Sequence, residues 1–143
     1  MSTLIEAVEE VQSWFSNIDD LKKVVSAPPP AINFSDLPLA WVVPKSGTWS
    51  PFTPTINKQV RQFQVFIFVS PLTFGLPEKT YQDLISLIDT VGRHLAGVLY
   101  GPEFNYEADR DPSFSDSGIS VLEFSGTEYH GFTVTINLPF SFR

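Results

Sequence analysis

The sequence predicts an α+β domain with long loops, in which about four mainly antiparallel strands form a sheet and two helices pack on one face. Apolar residues recur at helical spacing in two segments, while four other segments have the pattern of strands. The order is helix, strand, strand, helix, strand, strand, and a short turn before the last strand favours antiparallel pairing. A chain of 143 residues fits a single domain over residues 1–143.

The two helices are predicted over residues 3–18 and 78–99. Thr3 and Glu6 have the spacing of a capping box at the start of the first helix. Each helix carries one apolar stripe: Leu4, Val8, Val11, Phe15 and Ile18 in the first, and Tyr81, Leu84, Ile85, Ile88, Val91, Leu95 and Val98 in the second. Gly92 and Gly97 weaken the second helix, and close packing against a neighbouring backbone would explain both.

The four strands are predicted over residues 39–43, 58–70, 119–125 and from near Tyr129 onward. In the second of them, one face changes from polar to apolar halfway along the strand. Phe66 and Phe68 form its apolar end, which needs cover from other parts of the chain or from a partner.

The last strand has the most regular alternation in the sequence. Its apolar positions, which we assign to the core, are Phe132, Val134, Ile136, Leu138, Phe140 and Phe142. Pro139 lies on the opposite face and lacks an amide donor, so the hydrogen-bond ladder is interrupted there or the strand lies at an edge. We expect the segment 139–143 to lie near a subunit boundary, where a neighbour supplies cover, and its deletion to impair assembly more than folding.

Three irregular segments separate the predicted elements: a Pro-rich connector over residues 26–38 and long loops over residues 44–57 and 101–118. The three consecutive prolines of the connector exclude a helix there and favour an extended spacer. Trp49 and Phe52 lie in the first loop, where they either contact a partner that orders the loop or fold back over the core.

Composition excludes several classes of function. The net charge is −7, and the nine Lys and Arg residues are scattered, so no concentrated basic face is available for nucleic acid. The absence of cysteine excludes disulfides and thiolate metal sites. The N-terminal stretch is acidic where an export signal is basic, and no apolar stretch approaches the roughly 20 residues of a membrane span. We therefore expect synthesis in a cytoplasm.

No motif of a known catalytic site occurs, and the histidines, His94 and His130, belong to no such pattern. The best candidate for a metal site is the acidic loop, where Asp109, Asp111 and Asp116 could bind a hard cation such as calcium. The glycine and glutamate of an EF-hand loop are missing, so a solvated acidic loop is the simpler interpretation. Arg110 or Arg143 could instead form a salt bridge with a carboxylate of a neighbouring subunit.

Four stretches of the chain resemble the tail terminator proteins of long-tailed bacteriophages, the tail-completion or neck family. They are the N-terminal helix leading to PLAWVVP, the strand NKQVRQFQVFIFV after a long loop, the helix YQDLISLIDTVGRHLAG, and the closing hairpin ISVLEFSGTEYHGFTVTINLPFSFR. The similarity covers nearly the whole chain, but it is one of layout and not of a diagnostic motif. The PPP connector and the long acidic loop depart from the expected family pattern.

The resemblance implies a structural virion protein without catalytic activity or cofactor. The family forms rings, usually hexamers, that cap the tail tube and join it to the head, while DNA passes through the lumen without specific binding. The implied partners are further copies of the chain, the tail tube protein and a head-completion or neck protein, and no membrane is involved. An acidic chain with many aromatic residues agrees with this role, because a basic lumen would hold DNA.

Two other hypotheses stay open from the sequence. One is another head–tail connector, head-completion or baseplate subunit. The other is a small metal- or ligand-binding α+β domain that uses the acidic loop and His130 and loses metal binding when Asp109 and Asp111 are replaced by alanine. For the assembly hypotheses, we predict that the contacts with neighbouring subunits or partners involve Trp49, Phe52, Phe66, Phe68, Asp109, Arg110, Asp111, Pro139 and Arg143.

Overall fold

The computed structural model describes residues 3–51, 57–100 and 112–142. Its elements in chain order are α1 (Leu4–Ser16), β1 (Lys23–Val25), β2 (Leu39–Pro51), β3 (Asn57–Pro71), α2 (Glu78–Leu99), β4 (Ser113–Asp116), β5 (Ser120–Phe124) and β6 (Thr127–Phe142). The six strands form one sheet in the order β1-β2-β3-β6-β4, with β5 also paired to β6. The α+β class is confirmed, but the predicted number of four strands is wrong.

The two strands that the sequence did not predict are short and lack a clear periodicity. β1 has three residues and pairs parallel to β2, with Lys23 opposite Leu39, which makes the sheet mixed. β4 is the polar stretch SFSD inside the predicted loop 101–118, and it pairs antiparallel with β6. Such short segments gain their strand conformation from the longer neighbour to which they bond, and not from their own composition.

The predicted loop over residues 44–57 is also wrong for most of its length. β2 continues through Pro44 to Pro51 and pairs with β3 up to Asn57, so the two strands form a long antiparallel hairpin. The register shifts between Pro44 and Gly47, and proline is tolerated at such an irregularity because one ladder hydrogen bond is already lost. We call residues 44–51 and 57–61 the hairpin arm.

The main core lies between the sheet and the two helices. Thr3 caps α1 by accepting a hydrogen bond from the amide of Glu6 (3.1 Å), as the capping box predicts. The helices contribute Ala7, Val11, Trp14, Phe15, Leu84, Leu87, Val91, Leu95 and Leu99 to this core. Tyr81 and Ile85 were wrongly assigned to the buried stripe, since both are exposed. The buried side of α2 is rotated toward Leu87, which the predicted stripe did not include.

The glycines of α2 do not mark a close contact. A β-carbon added at Gly92 or Gly97 would meet no described atom within 4 Å outside the neighbouring turns of the helix. The predicted close packing at these glycines is therefore wrong for the described part of the chain.

The alternation of β6 is confirmed as the basis of the core. Phe132, Val134, Ile136, Leu138 and Phe140 are all fully buried, or nearly so, beneath the helices. The turn that leads from β5 into β6 consists of Ser125 and Gly126, with φ angles of 52° and 83°. Two left-handed residues between paired strand ends match the right-handed twist of a hairpin. No helix in the described part of the chain is long and apolar enough to cross a membrane.

Candidate subunit interface

The sheet has a second face, opposite the helices, which we call the open face. Alternation along the paired strands assigns its residues. They are Leu39, Trp41 and Val43 on β2, Lys58, Val60, Gln62, Gln64, Phe66 and Phe68 on β3, Ser113 and Ser115 on β4, Leu122 and Phe124 on β5, and Tyr129, Gly131, Thr133, Thr135 and Asn137 on β6.

One end of the open face is an aromatic cluster. Phe68 makes edge-on contacts with Tyr129 and Phe124, with ring centroids 5.5 and 6.1 Å apart. Trp41 lies 5.7 Å from Phe66 and 6.1 Å from Phe124. These rings and their aliphatic neighbours form a small apolar cluster that is separate from the main core. The apolar end of the face therefore lies at Phe66 and Phe68, where the sequence predicted it, and other parts of the chain pack against it.

The Pro-rich connector supplies part of this cover. It contains no α-helix and one short 3-10 helix at Phe34–Asp36, and its residues Ile32 and Leu37 pack on the aromatic cluster. Phe68 is almost completely buried as a result, whereas Phe66 and Trp41 are half-buried. The cover is therefore incomplete, and apolar surface remains available at this end.

The other end of the open face is polar, and its charged groups lie at its margin: Lys58 precedes Val60 in the alternation of β3, and Nζ of Lys45 lies 5.7 Å from the ring centroid of Phe66. From Val60 to Phe68 on β3 and from Gly131 to Asn137 on β6, this face has no acidic or basic side chain, and amides and hydroxyls replace them. The helices differ sharply: α2 carries two exposed ion pairs within its own length, Lys79–Asp83 and Arg93–Asp89. Uncharged polar groups with aromatic neighbours are typical of surfaces that lose water on contact with another protein.

Trp49, which the sequence predicted as a contact residue, lies on the hairpin arm and is exposed. Its indole is 56% exposed, and the guanidinium of Arg61 lies over it at 5.4 Å from the ring centroid. The sequence predicted Trp49 in a loop, but the residue lies on strand β2. It shares the helix-bearing side of the sheet with Gln59 and Arg61, whose register partners on β6 are Phe140 and Leu138.

Pro139 lies at an outer edge of the sheet, one of the two predicted alternatives. Thr133 exchanges hydrogen bonds with Ser117 on the outer side of β6, so the odd residues of this strand direct their backbone groups outward. Asn137 is the last residue paired to β4, which leaves Pro139 beyond it in the described sheet. The missing amide hydrogen therefore falls on the side of β6 where the described strands form no ladder bond with Pro139.

The segment around Pro139 nevertheless serves the fold of the subunit. Pro139 is buried, and Phe140 beside it is a fully buried core residue. The expectation that deleting residues 139–143 impairs assembly more than folding is therefore corrected, since the deletion would remove a core phenylalanine and destabilise the subunit itself. The other predicted contact residues, Phe52, Asp109, Arg110, Asp111 and Arg143, lie outside the described residues.

The candidate metal site gains no support from the described residues. Asp116, the one member of the predicted acidic group that the structure describes, accepts a hydrogen bond from the amide of Gly118 (2.8 Å) and so shapes a turn. No three His, Asp or Glu side chains gather into a metal-binding group in the described segments. His130 is half-buried in β6, and the half-buried His94 has a buried Nε2 atom with no described hydrogen-bond partner.

A cleft of about 590 Å³ opens between the connector, the end of β3 and the start of α2. Phe34 and Phe74 meet edge-on at its rim, 5.5 Å apart, and both rings are largely exposed. The cleft also contains Lys22 and two acidic residues, so its polar lining has mixed charge. It does not bring together the residues that the sequence proposed for ligand binding, since His130 is not among its described lining.

Sequence reasoning missed Trp41, Arg61 and Tyr129 as residues of the candidate surfaces. The alternation in β3 could have found the open face, because the shift from glutamines to phenylalanines is visible there. Arg61 could not be found in this way, because its position depends on the irregularity in β2. No known family model matches the chain, and no characterised protein is a significant relative.

Proposed function

We propose that the chain is a structural subunit that assembles with copies of itself into a ring and acts as the tail terminator of a long-tailed bacteriophage. The observation that carries this proposal is the open face, which combines an incompletely covered aromatic cluster with an uncharged polar stretch around Gln62 and Gln64, while its charged groups, Lys45 and Lys58, lie beside that stretch. A subunit that works alone in water has no need for such a face, whereas a subunit buried by neighbours does.

The energetics of the open face favour association. Half-buried Trp41 and Phe66 offer aromatic area that gains free energy when a partner covers it. Removing water from the amides of Gln62 and Gln64 costs less free energy than removing it from charged groups would. The amides can also form hydrogen bonds across a contact. Exposed apolar residues elsewhere, such as Ile5 and Phe74, agree with a subunit that contacts partners on several sides.

The role as a tail terminator adds the resemblance in layout to this physical argument. In the proposed ring, a chain with net charge −7 would let DNA slide past without holding its phosphates. The proposed partners are the tail tube protein and a neck protein, and the proposed location is the tail or neck of the virion. We propose no catalytic activity. Another head–tail connector or baseplate subunit would use the same surfaces.

The oligomeric state tests the proposal directly. Mass photometry and negative-stain electron microscopy of the purified chain, alone and with the tail tube protein of the same phage, should show closed rings. A protein that stays monomeric at its highest soluble concentration and ignores tail tubes would refute the proposal.

A charge placed on the open face should prevent this assembly. Gln64→Lys should weaken association by about tenfold or more, because an unpaired ammonium would be buried in the contact. The matched control is Gln82→Lys on the exposed side of α2, which should leave assembly unchanged. Sedimentation velocity gives the association constant, and circular dichroism verifies that both variants fold. Equal assembly of the two variants would remove the open face from the contact.

A further inference from the structure

The hairpin arm holds Arg61 in a defined position, which we call the arginine seat and which consists of Gly47, Gln59, Arg61, Trp49 and the backbone oxygen of Lys45. The side-chain oxygen of Gln59 accepts from Nε and Nη2 of Arg61, at 3.1 and 3.0 Å. The oxygen of Lys45 accepts from Nη1 at 2.9 Å. Gln59 is 2% exposed, so the group that orients the guanidinium is itself fixed by the protein.

Gly47 and Trp49 complete the arginine seat. A β-carbon at Gly47 would lie 2.5 Å from Cζ of Arg61, so the guanidinium occupies space that only glycine leaves free. Trp49 adds a cation–π contact, with Cζ of Arg61 5.4 Å from its ring centroid. A long and flexible side chain is thereby held in one orientation, as binding sites for planar anions require.

The arginine seat contains no carboxylate among the described residues. The acceptors of Arg61 are an amide oxygen and a peptide oxygen, which orient the guanidinium but do not balance its charge. Each terminal nitrogen also keeps an N–H group without a described acceptor, and charge-assisted hydrogen bonds from such groups to a carboxylate are strong. In an acidic chain, an arginine held in this way is suited to a carboxylate from outside the subunit.

A complementary feature lies at the opposite end of the sheet. Glu123 and Glu128 are direct cross-strand partners on β5 and β6, and both are exposed. Like charges in such a pair repel each other and destabilise the hairpin. Their neighbour Val121 is 50% exposed, so the helices do not cover this end. A cation placed between the two carboxylates would remove the repulsion.

Building on the proposed ring, we propose that Arg61 of one copy binds the Glu123–Glu128 pair of the next copy. The arginine seat and the glutamate pair lie on the same side of the sheet but about 30 Å apart along β3 and β6, so they cannot meet within one subunit. Two different, complementary surfaces are what a head-to-tail ring needs.

A double-mutant cycle on the full chain tests this pairing. Arg61→Gln should raise the dissociation constant between copies by about tenfold, and Glu123→Gln with Glu128→Gln should have a similar effect. The combined variant should assemble no worse than either one, because both remove the same interaction. The wild-type contact should also weaken in high salt. Mass photometry and sedimentation velocity measure each constant.

Two further variants separate the ion pair from general effects. Gly47→Ala keeps the charge but displaces the guanidinium, so it should weaken assembly in the same direction. Arg93→Gln removes an equal charge from α2, where the side chain is 81% exposed and already paired with Asp89, and it should have no effect. Thermal unfolding of each variant at low concentration verifies that the isolated subunit remains folded.

The outcomes distinguish this inference from the proposed function. If the wild-type chain forms rings but the Arg61 and glutamate substitutions have additive effects, or none, the ion pair is wrong and the ring proposal stands. A wild-type chain that never associates would overturn both. If Arg61→Gln instead lowers affinity for short duplex DNA and leaves assembly unchanged, the arginine seat binds phosphate and the proposed pairing is wrong.

Discussion

Gly131→Ala is expected to destabilise the fold by about 3 kcal/mol, the upper end of the usual range for an overpacked position. Gly131 lies in β6 between Phe68 of β3 and Ser120 of β5. A β-carbon there would overlap the backbone oxygen of Ile67 and approach the side chain of Leu122. A side chain can rotate away, but a backbone oxygen in the middle of a sheet moves only if ladder hydrogen bonds break.

Gly97→Ala is the matched control, because the same methyl group on α2 meets no described atom within 4 Å outside the neighbouring turns of the helix. Replacing an exposed glycine inside a helix should raise stability by about 0.5–1 kcal/mol. Urea unfolding followed by circular dichroism gives both free energies. The two variants should therefore shift the unfolding midpoint in opposite directions, and a shift in the same direction would contradict the packing described around β6.

Phe63→Ala should have the largest effect on the core, a loss of about 3–5 kcal/mol in the free energy of unfolding. Phe63 is completely buried between the sheet and the helices, opposite Ile136 of β6. Its removal leaves a cavity in the centre of the main core, where the long strands cannot collapse to fill it. A variant this unstable will be partly unfolded if the domain has ordinary stability.

Phe66→Ala provides the comparison within the same strand. Phe66 lies three residues further along β3, on the open face, where its ring is half-buried against Trp41 and beneath Nζ of Lys45. The monomer should lose roughly 1 kcal/mol, because less apolar area is buried there. Chemical unfolding at low protein concentration separates this loss from any effect of association. Equal losses at Phe63 and Phe66 would refute the distinction between core and open face.

The sequence predicted the long, regular elements well because burial on one side leaves a periodic record. The alternation of β6 identified five core residues from Phe132 to Phe140, and Thr3 and Glu6 marked the start of α1. A chain segment that alternates over many residues has few other ways to bury its apolar side. The helix-bearing layer of the fold was therefore predictable without a structure.

The missed elements share a different physical origin. β1 and β4 are too short to show a period, and they are strands because β2 and β6 offer them unpaired edges. The extension of β2 past Pro44 depends on an irregularity that absorbs the proline, and no residue count reveals it. Arg61 acquires its fixed orientation from Gly47 on the adjacent strand and from Gln59 two residues earlier. Contacts between strands, which no local pattern records, create the arginine seat.

The position of β6 also governs the order in which the domain can fold. It is the last strand in chain order, yet it joins β3 on one side to β4 and β5 on the other. While the ribosome synthesises the preceding elements, β3 has β2 as a partner but lacks its second one, and the helices have half a surface on which to pack. The sheet can therefore close only when β6 pairs with β3, and α2, β4 and β5 lie between these two strands in the chain. We expect such a pairing between distant segments to slow folding. Until then the bare side of β3 can pair with other nascent chains, so an early hazard for this protein is premature association.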